Sequence, residues 1–372
     1  MSFCSYYDAQ VCHSCTQIDL FYAEQLTQKS AHLHKALEAF RVQEWLKPTE
    51  SQLKGFRNKA KMVASNSDEG IVLGLSDEVS LINCPLYDIS MQAVLEQTQN
   101  WLRGLGIKAY DVKKKKGELK YVLLTRSSYN GTMMLRFILR SHGVISRLQG
   151  NMESLVALAP NVRVISVNIQ PVHMAILEGD EEIFLSEETR LEEQLNGIPL
   201  FIRPKSFFQT NPDIAAKLYK TVAMWTDELE AKSIIDLFCG VGGFALHVAT
   251  YGRNVIGVEL ESEAIECAKD SALILGVDTL TFKALDAVSF STETSKAPDV
   301  VIVNPPRRGL GQELCKWLEK VSPADVFYSS CNAVSLAKDI EWLKSYEIIK
   351  VELFDMFAHT QHYETLVHLK KR

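Results

Sequence analysis

Ser233-Ile234-Ile235-Asp236-Leu237-Phe238-Cys239-Gly240-Val241-Gly242-Gly243-Phe244 is an apolar run that breaks into a glycine turn. Such a run reads as a buried strand entering a tight turn that opens a helix. From there to the C-terminus, apolar runs alternate with helical patterns. The runs are Ile234–Phe238, Val255–Glu259, Leu280–Ala284, Val300–Val303, Val326–Ser330 and Ile348–Phe354. Helical spacing fills Ala264–Leu275, Leu314–Val321 and Leu336–Tyr346, and Tyr363–Leu369 reads as a closing strand. This order predicts an α/β fold with a parallel, doubly wound, Rossmann-like sheet and ligands at the carboxyl ends of its strands.

Upstream, Leu26, Leu33, Leu37 and Phe40 predict one long helix over Ala23–Trp45, stopped near Pro48. Phe56-Arg57-Asn58-Lys59-Ala60-Lys61-Met62-Val63 alternates basic and apolar residues, and Asp88–Leu105 reads as a further helix. The β-rich runs Tyr121–Thr125, Met133–Leu139 and Val162–Ile169 predict an antiparallel sheet, closed by Leu200–Phe208. Asn211-Pro212-Asp213 caps the next helix. The N-terminal region is therefore a smaller α+β part, with Lys113–Lys116 as an exposed turn.

The 372 residues, 47% hydrophobic and 23% charged, describe an ordinary soluble globular protein. No apolar run approaches the ~20 residues of a membrane helix, so no membrane partner is expected. The start Met1-Ser2-Phe3-Cys4 lacks the plan of a signal peptide. Eight cysteines without an export signal predict reduced thiols in the cytoplasm. The net charge of −6 conceals an asymmetry: residues 1–150 hold 19 Lys and Arg against 14 Asp and Glu, whereas residues 151–372 hold 21 against 32. A basic half of this kind suits phosphates and an acidic half suits a small cofactor, although two ordinary solvated surfaces give the same count.

The turn itself reads Gly240-x-Gly242-x-x-Ala245, and Glu259 ends the second strand 19 residues after Gly240. Glycines let a cofactor approach the backbone, and a carboxylate there accepts both ribose hydroxyls. NAD and S-adenosylmethionine (SAM) both satisfy this pattern. Asp286 follows the third strand, where an acid meets the adenine edge. Asn304-Pro305-Pro306 at the end of the fourth strand separates the two cofactors, because that corner is a methyltransferase signature.

Enzymes that methylate exocyclic amines place an aromatic residue after Asn-Pro-Pro, and here Arg307 and Arg308 follow. An amine brings its own lone pair, whereas carbon 5 of uracil must first be made nucleophilic. A thiolate adding to carbon 6 does this. Cys331, at the end of the fifth strand, stands on the ligand-bearing edge. Cys239 lies in the cofactor turn, and Cys267 and Cys315 fall in helical patterns as packing residues. Carbon 5 then carries a proton that a base must remove, and Glu364 at the head of the last strand is the candidate.

Taken together, Asp236-Leu237-Phe238-Cys239-Gly240-x-Gly242-Gly243-Phe244, Asn304-Pro305-Pro306-Arg307-x-Gly309, Ser329-Ser330-Cys331-Asn332 and His362-x-Glu364-Thr365 resemble the RNA uracil-C5 methyltransferase family. Phe207-Phe208-Gln209-x-Asn211 and Phe56-Arg57-Asn58-Lys59 extend the likeness over nearly the whole chain. The resemblance implies a class I SAM-dependent methyltransferase domain, with Gln209, Phe238, Gly240, Glu259, Asp286 and Asn304 at SAM, Cys331 as nucleophile and Glu364 as base. Many members carry Asp where Asn304 stands. An amide cannot take a proton, which strengthens the case for Glu364. Phe207, Phe208 and Arg307 are the candidates to hold a flipped base.

Cys4, Cys12 and Cys15 cluster at the front, and Cys84-Pro85 supplies a distant fourth thiol. Spacing alone fits zinc and an iron–sulfur cluster equally; the family resemblance implies [4Fe-4S]. Some members begin with an RNA-binding β-barrel. This chain begins directly with the cysteines, an arrangement resembling the members that act on 23S ribosomal RNA. The resulting expectation is a monomeric cytoplasmic enzyme acting on a hairpin-loop uridine of 23S rRNA. Its parts would be 1–85 (iron–sulfur and RNA contact), 86–205 (substrate positioning) and 206–372 (catalysis). The rivals are action on another 23S site or on tRNA, an amino-methyltransferase, an NAD oxidoreductase, and a non-catalytic RNA-binding assembly factor.

Overall fold

The structure is a computed structural model that describes residues 2–75, 78–172, 177–250, 252–293 and 296–372. It forms two compact units, one of Met1–His13 with Leu53–Glu193 and the other of Ser14–Gln52 with Gln194–Arg372. Residues 14–52 thus pack with the C-terminal half, across the sequence boundaries drawn near 85 and 205.

The second unit is built on an eight-stranded sheet. In spatial order its strands are Val42–Trp45, Tyr346–Phe354, Glu364–Lys371, Asp325–Ser330, Val300–Val303, Ser233–Leu237, Asn254–Glu259 and Leu280–Ala284. Every neighbouring pair is parallel except those made by Glu364–Lys371, which runs antiparallel to both its neighbours. The sheet was expected to be parallel, with no direction assigned to its closing strand. The chain turns back sharply over 355–363, too short a span for the crossover that a parallel neighbour requires. Both faces are covered, so Val300–Val303 is buried at every position and reads as a continuous apolar run.

The expected helix over Ala23–Trp45 is two elements. Helix Tyr22–Ala36 ends at Leu37, and Val42–Trp45 is an edge strand in register with Ile348–Val351. Its pairing partner lies about 300 residues away in sequence, so long-range hydrogen bonding overrides a local helical pattern. Residues 25, 29, 33 and 37 form the buried face at four-residue spacing: Gln25, Lys29, Leu33 and Leu37. Half of that face is polar. Leu33 and Leu37 join the sheet core with Val351, Leu353, Tyr363 and Val367.

The first unit holds a six-stranded sheet in the order Gly70–Gly74, Lys59–Ser67, Leu119–Arg126, Met133–Leu139, Val162–Ile169 and Glu181–Phe184. It is antiparallel, as expected, except that Met133–Leu139 and Val162–Ile169 pair in parallel. The helices Ile145–Gln149 and Met152–Leu158 lie between these two strands and supply the crossover. Helix Ile89–Gly104, capped by the Asp88 carboxylate on the Ser90 amide, packs Met91, Leu95 and Leu102 into this core. Lys113–Lys116 forms an exposed turn whose Lys113 and Lys114 amides donate to Asp111 Oδ1.

Candidate active site

The carboxyl edge of the eight-stranded sheet gathers the titratable groups. Strand Ser233–Leu237 runs into Phe238, which has φ of +63°, a conformation rare for a bulky side chain and one that concentrates at functional sites. Gly242 opens helix Gly243–Val248 with φ of +86°, and a Cβ there would stand 2.9 Å from the Phe282 ring. Only glycine fits that approach. Glu259 reaches back across the turn: one carboxylate oxygen accepts the Gly240 amide at 3.1 Å, and the other accepts the amides of Leu260 at 2.8 Å and Glu261 at 3.1 Å. Asp236 is fully buried and accepts the Ala245 amide at 2.9 Å through Oδ2. Its Oδ1 has no partner among the described residues. Burial, with the nearby Glu259 charge, pushes Asp236 up to about 8. An unpartnered buried oxygen beside a glycine cradle fits a site for a nucleotide-like ligand with a polar group to offer it.

Asp286 accepts the Val288 amide at 3.0 Å, Gln209 is buried, and Asn304 is half-buried at the end of Val300–Val303. After Asn304 the chain makes a tight loop held by one buried carboxylate. Asp339 accepts the Leu310 amide at 2.7 Å, the Gly311 amide at 3.3 Å and the Tyr328 hydroxyl at 2.6 Å. Gly309, at φ of +85°, lets that carboxylate approach, since a Cβ would stand 2.4 Å from Asp339 Oδ2. The Arg307 carbonyl is then clamped by the Asn332 side-chain amide and the Ser335 hydroxyl, both at 3.0 Å.

Cys331 follows strand Asp325–Ser330, and Glu364 opens the neighbouring strand, where Ser330 pairs with Thr365. The two candidate catalytic residues are brought together. Burial raises the Cys331 thiol, the Glu364 charge raises it further, and Arg307 opposes both by its charge and a hydrogen bond. Glu364 is 2% exposed, and Ser329 Oγ donates to its Oε1 at 2.6 Å. Burial pushes this carboxyl up to about 7 against that single hydrogen bond. Such a group exchanges a proton near neutrality. Cys267 and Cys315 are fully buried in helices, in keeping with packing roles.

Cys331 opens on a cavity of about 400 Å³ bordered also by Arg307, Lys29, His32, His362 and Tyr363. Gln17 and Gln28 border it too, joined by a 3.0 Å amide hydrogen bond. His32 Nδ1 lies 2.6 Å from the Tyr363 hydroxyl. Sequence reasoning missed the contribution of helix Tyr22–Ala36 because its apolar residues were read as the packing signal. The buried polar positions Gln25 and Lys29 carry no such signal.

In the first unit, Tyr6 accepts the Asn83 amide at 3.2 Å. Burial raises its phenol, that hydrogen bond opposes the rise, and Cys84, Cys4 and Cys12 add to it. Burial pushes Cys84 itself up to about 11. Cys15 belongs to the second unit. Among the described residues no group of three or more His, Cys, Asp or Glu side chains is arranged to hold a metal ion.

A family model described as tRNA (Uracil-5-)-methyltransferase matches residues 21–372. The chain is 51% identical over 367 residues, 98% of each sequence, to the 23S rRNA (uracil(747)-C(5))-methyltransferase RlmC of Xenorhabdus nematophila. It is 50% identical over 374 residues, 99% of each, to the RlmC of Shewanella loihica. It is also similar to the crystal structure of Pyrococcus abyssi tRNA (uracil-54, C5)-methyltransferase in complex with S-adenosyl-L-homocysteine, with a TM-score of 0.79 and 29% identity over 95% of this chain and 85% of that one. The motifs at the sheet edge and these full-length likenesses agree: the chain belongs to the tRNA (uracil-5-)-methyltransferase family.

Proposed function

We propose that this chain is a SAM-dependent 23S rRNA (uracil-C5)-methyltransferase that acts on a uridine of the uracil-747 type. The observation that carries this reading is the pairing of Cys331 with a buried, upward-shifted Glu364 at the edge of a methyltransferase sheet. Likeness at about half identity over nearly full length to 23S enzymes favours that substrate over tRNA. SAM, when bound, supplies a methyl group on a positively charged sulfur.

The chain's own residues do the rest. The glycine turn at Gly240 and Gly242, with Phe238, Glu259, Asp286, Gln209 and Asn304, is assigned to SAM. The Cys331 thiolate adds to carbon 6 of the uracil, forming the sulfur–carbon bond and moving the ring's double-bond pair toward carbon 5 and the carbonyl oxygen at carbon 4. Carbon 5 would then take the methyl group, the broken carbon–sulfur bond leaving its electron pair on the donor's sulfur, which departs as a neutral thioether. Glu364, ionised above about 7, removes the carbon 5 proton. The returning electron pair restores the double bond and expels Cys331. Arg307 favours the thiolate that starts the cycle.

The uridine is turned out of a hairpin loop, because its ring carbons are closed off within stacked RNA. Cys4, Cys12, Cys15 and Cys84 are assigned to a [4Fe-4S] cluster by family likeness. The cluster's role is to pin the N-terminal segment, and it takes no part in methyl transfer. The enzyme acts as a cytoplasmic monomer; no helix among the described residues is long and apolar enough to cross a membrane.

The test is mass-spectrometric mapping of unmodified 23S rRNA after incubation with the anaerobically purified protein and labelled SAM. One 5-methyluridine is expected. A methylated adenosine or cytidine, or methylation of tRNA alone, would contradict the reading.

A further inference from the structure

Among the described residues of the second unit, the Lys29–Asp355 ion pair is the most deeply buried, with side chains 1% and 0% exposed. Lys29 Nζ donates to Asp355 Oδ1 at 2.5 Å and to the Phe357 carbonyl at 3.1 Å. The Tyr22 hydroxyl donates to the other Asp355 oxygen at 2.9 Å. Both carboxylate oxygens therefore have partners, whereas an ammonium has three N–H bonds and this one places two. A buried ion pair returns little stability for the desolvation it requires, and an apolar pair of similar size would tether the helix as well.

Position distinguishes this pair from a tether. Lys29 borders the cavity onto which Cys331 opens, as do Arg307 and His362. His362 is held below its ordinary range by burial, then by Arg307, then by Lys29, so the ammonium's field reaches into that cavity. Nothing in the proposed reaction has yet used it.

Resting on the uracil-C5 reading, we propose that Lys29 is a catalytic residue whose remaining N–H donates to the uracil carbonyl oxygen at carbon 4. When Cys331 adds to carbon 6, the sulfur–carbon bond forms and the double-bond pair moves through carbon 5 onto that oxygen, which becomes an enolate. The other ring carbonyl is not conjugated to the displaced pair and gains no such charge. Asp355 and the Phe357 carbonyl hold the ammonium in place beforehand, so little reorganisation accompanies charge development. The same donor selects the base. Cytosine presents an amino group at carbon 4, and an ammonium has no acceptor to offer it.

The experiment uses the full chain, SAM and an RNA hairpin carrying 5-fluorouridine at the target. Fluorine at carbon 5 leaves no proton to remove, so the methylated adduct on Cys331 accumulates as a denaturation-resistant band. Its rate of formation is compared among wild type, Lys29→Met, Lys29→Arg and the double variant Lys29→Met with Asp355→Asn. SAM and RNA affinities are measured alongside. The double variant leaves no uncompensated buried carboxylate, so it reports on chemistry if Lys29→Met alone fails to fold. Adduct formation should fall by about 10²- to 10³-fold in the Met variants at nearly unchanged affinities, the loss seen when one oxyanion donor is removed. Lys29→Arg should recover part of it. Wild-type rates in the double variant, or a loss that follows RNA affinity alone, would overturn the role of Lys29. Failure of wild type itself to form the adduct would instead overturn the uracil-C5 reading, and this inference with it.

Discussion

Glu182, half-buried but with a side chain only 5% exposed, and the buried Glu364 are both carboxylates in β-sheets, and the structure treats them in opposite ways. In the six-stranded sheet, Glu182 meets Arg136 bidentately at 2.9 and 2.6 Å and also accepts from Ser166 at 2.6 Å and Asn168 at 2.9 Å. Arg136, itself 2% exposed, adds Glu178 at 3.1 Å. Arg136, Glu178 and Glu182 thus all have fixed partners. At the edge of the eight-stranded sheet, Glu364 has the Ser329 hydroxyl and, among the described residues, no cation paired with it, and its carboxyl is pushed up to about 7. A buried charge that is fully paired serves architecture, and one left short of partners serves proton transfer.

Substitutions sharpen that contrast. Cys331→Ala should lower turnover by about 10⁴-fold or more, since a covalent mechanism has no substitute nucleophile. Its thermal stability should stay close to wild type, as the side chain borders a cavity. A steady-state assay with a melting curve checks both, and retained turnover would favour an amino-methyltransferase. Arg136→Met should do the reverse. Stranding Glu182 and Glu178 costs about 3–5 kcal/mol of stability, while turnover per folded molecule is preserved. Chemical denaturation with an active-site titration measures this, and an unchanged midpoint would break the comparison.

The smallest effect is on pH dependence. The folded protein holds the Glu364 carboxyl near 7, above its ordinary 4.5. Between those values the fold binds the proton more tightly than the unfolded chain does, so this group lowers stability as pH rises through the window. Glu364→Gln removes that slope and should stabilise the protein above pH 7 by up to about 3 kcal/mol, with little change at pH 4. Wild-type turnover should rise with pH up to about 7. Melting and rate profiles across pH 4 to 8.5 test both signs.

The parallel strands of the catalytic sheet were legible because full burial writes them as unbroken apolar runs, as at Val300–Val303. The glycine turn, the Asn304-Pro305-Pro306 corner and Cys331 were legible because each needs a particular residue type at a strand end. Direction was not legible: Glu364–Lys371 looks the same in sequence whichever way it runs. Val42–Trp45 was read as helix because its strand partner lies about 300 residues away. Lys29 was invisible for a further reason. Patterns of hydrophobicity locate faces that exclude water, and the buried face of helix Tyr22–Ala36 is half polar.

The central claim is that Cys331 attacks and Glu364 releases. Glu364→Gln should therefore stall the reaction after methyl transfer, with RNA still attached to the enzyme. The decisive measurement is denaturing electrophoresis of Glu364→Gln with natural target RNA and SAM, followed by peptide mapping of the shifted band. The account predicts a denaturation-resistant adduct on Cys331 carrying a methylated uracil. Normal 5-methyluridine production by Glu364→Gln with no adduct, or an adduct on another residue, would contradict it.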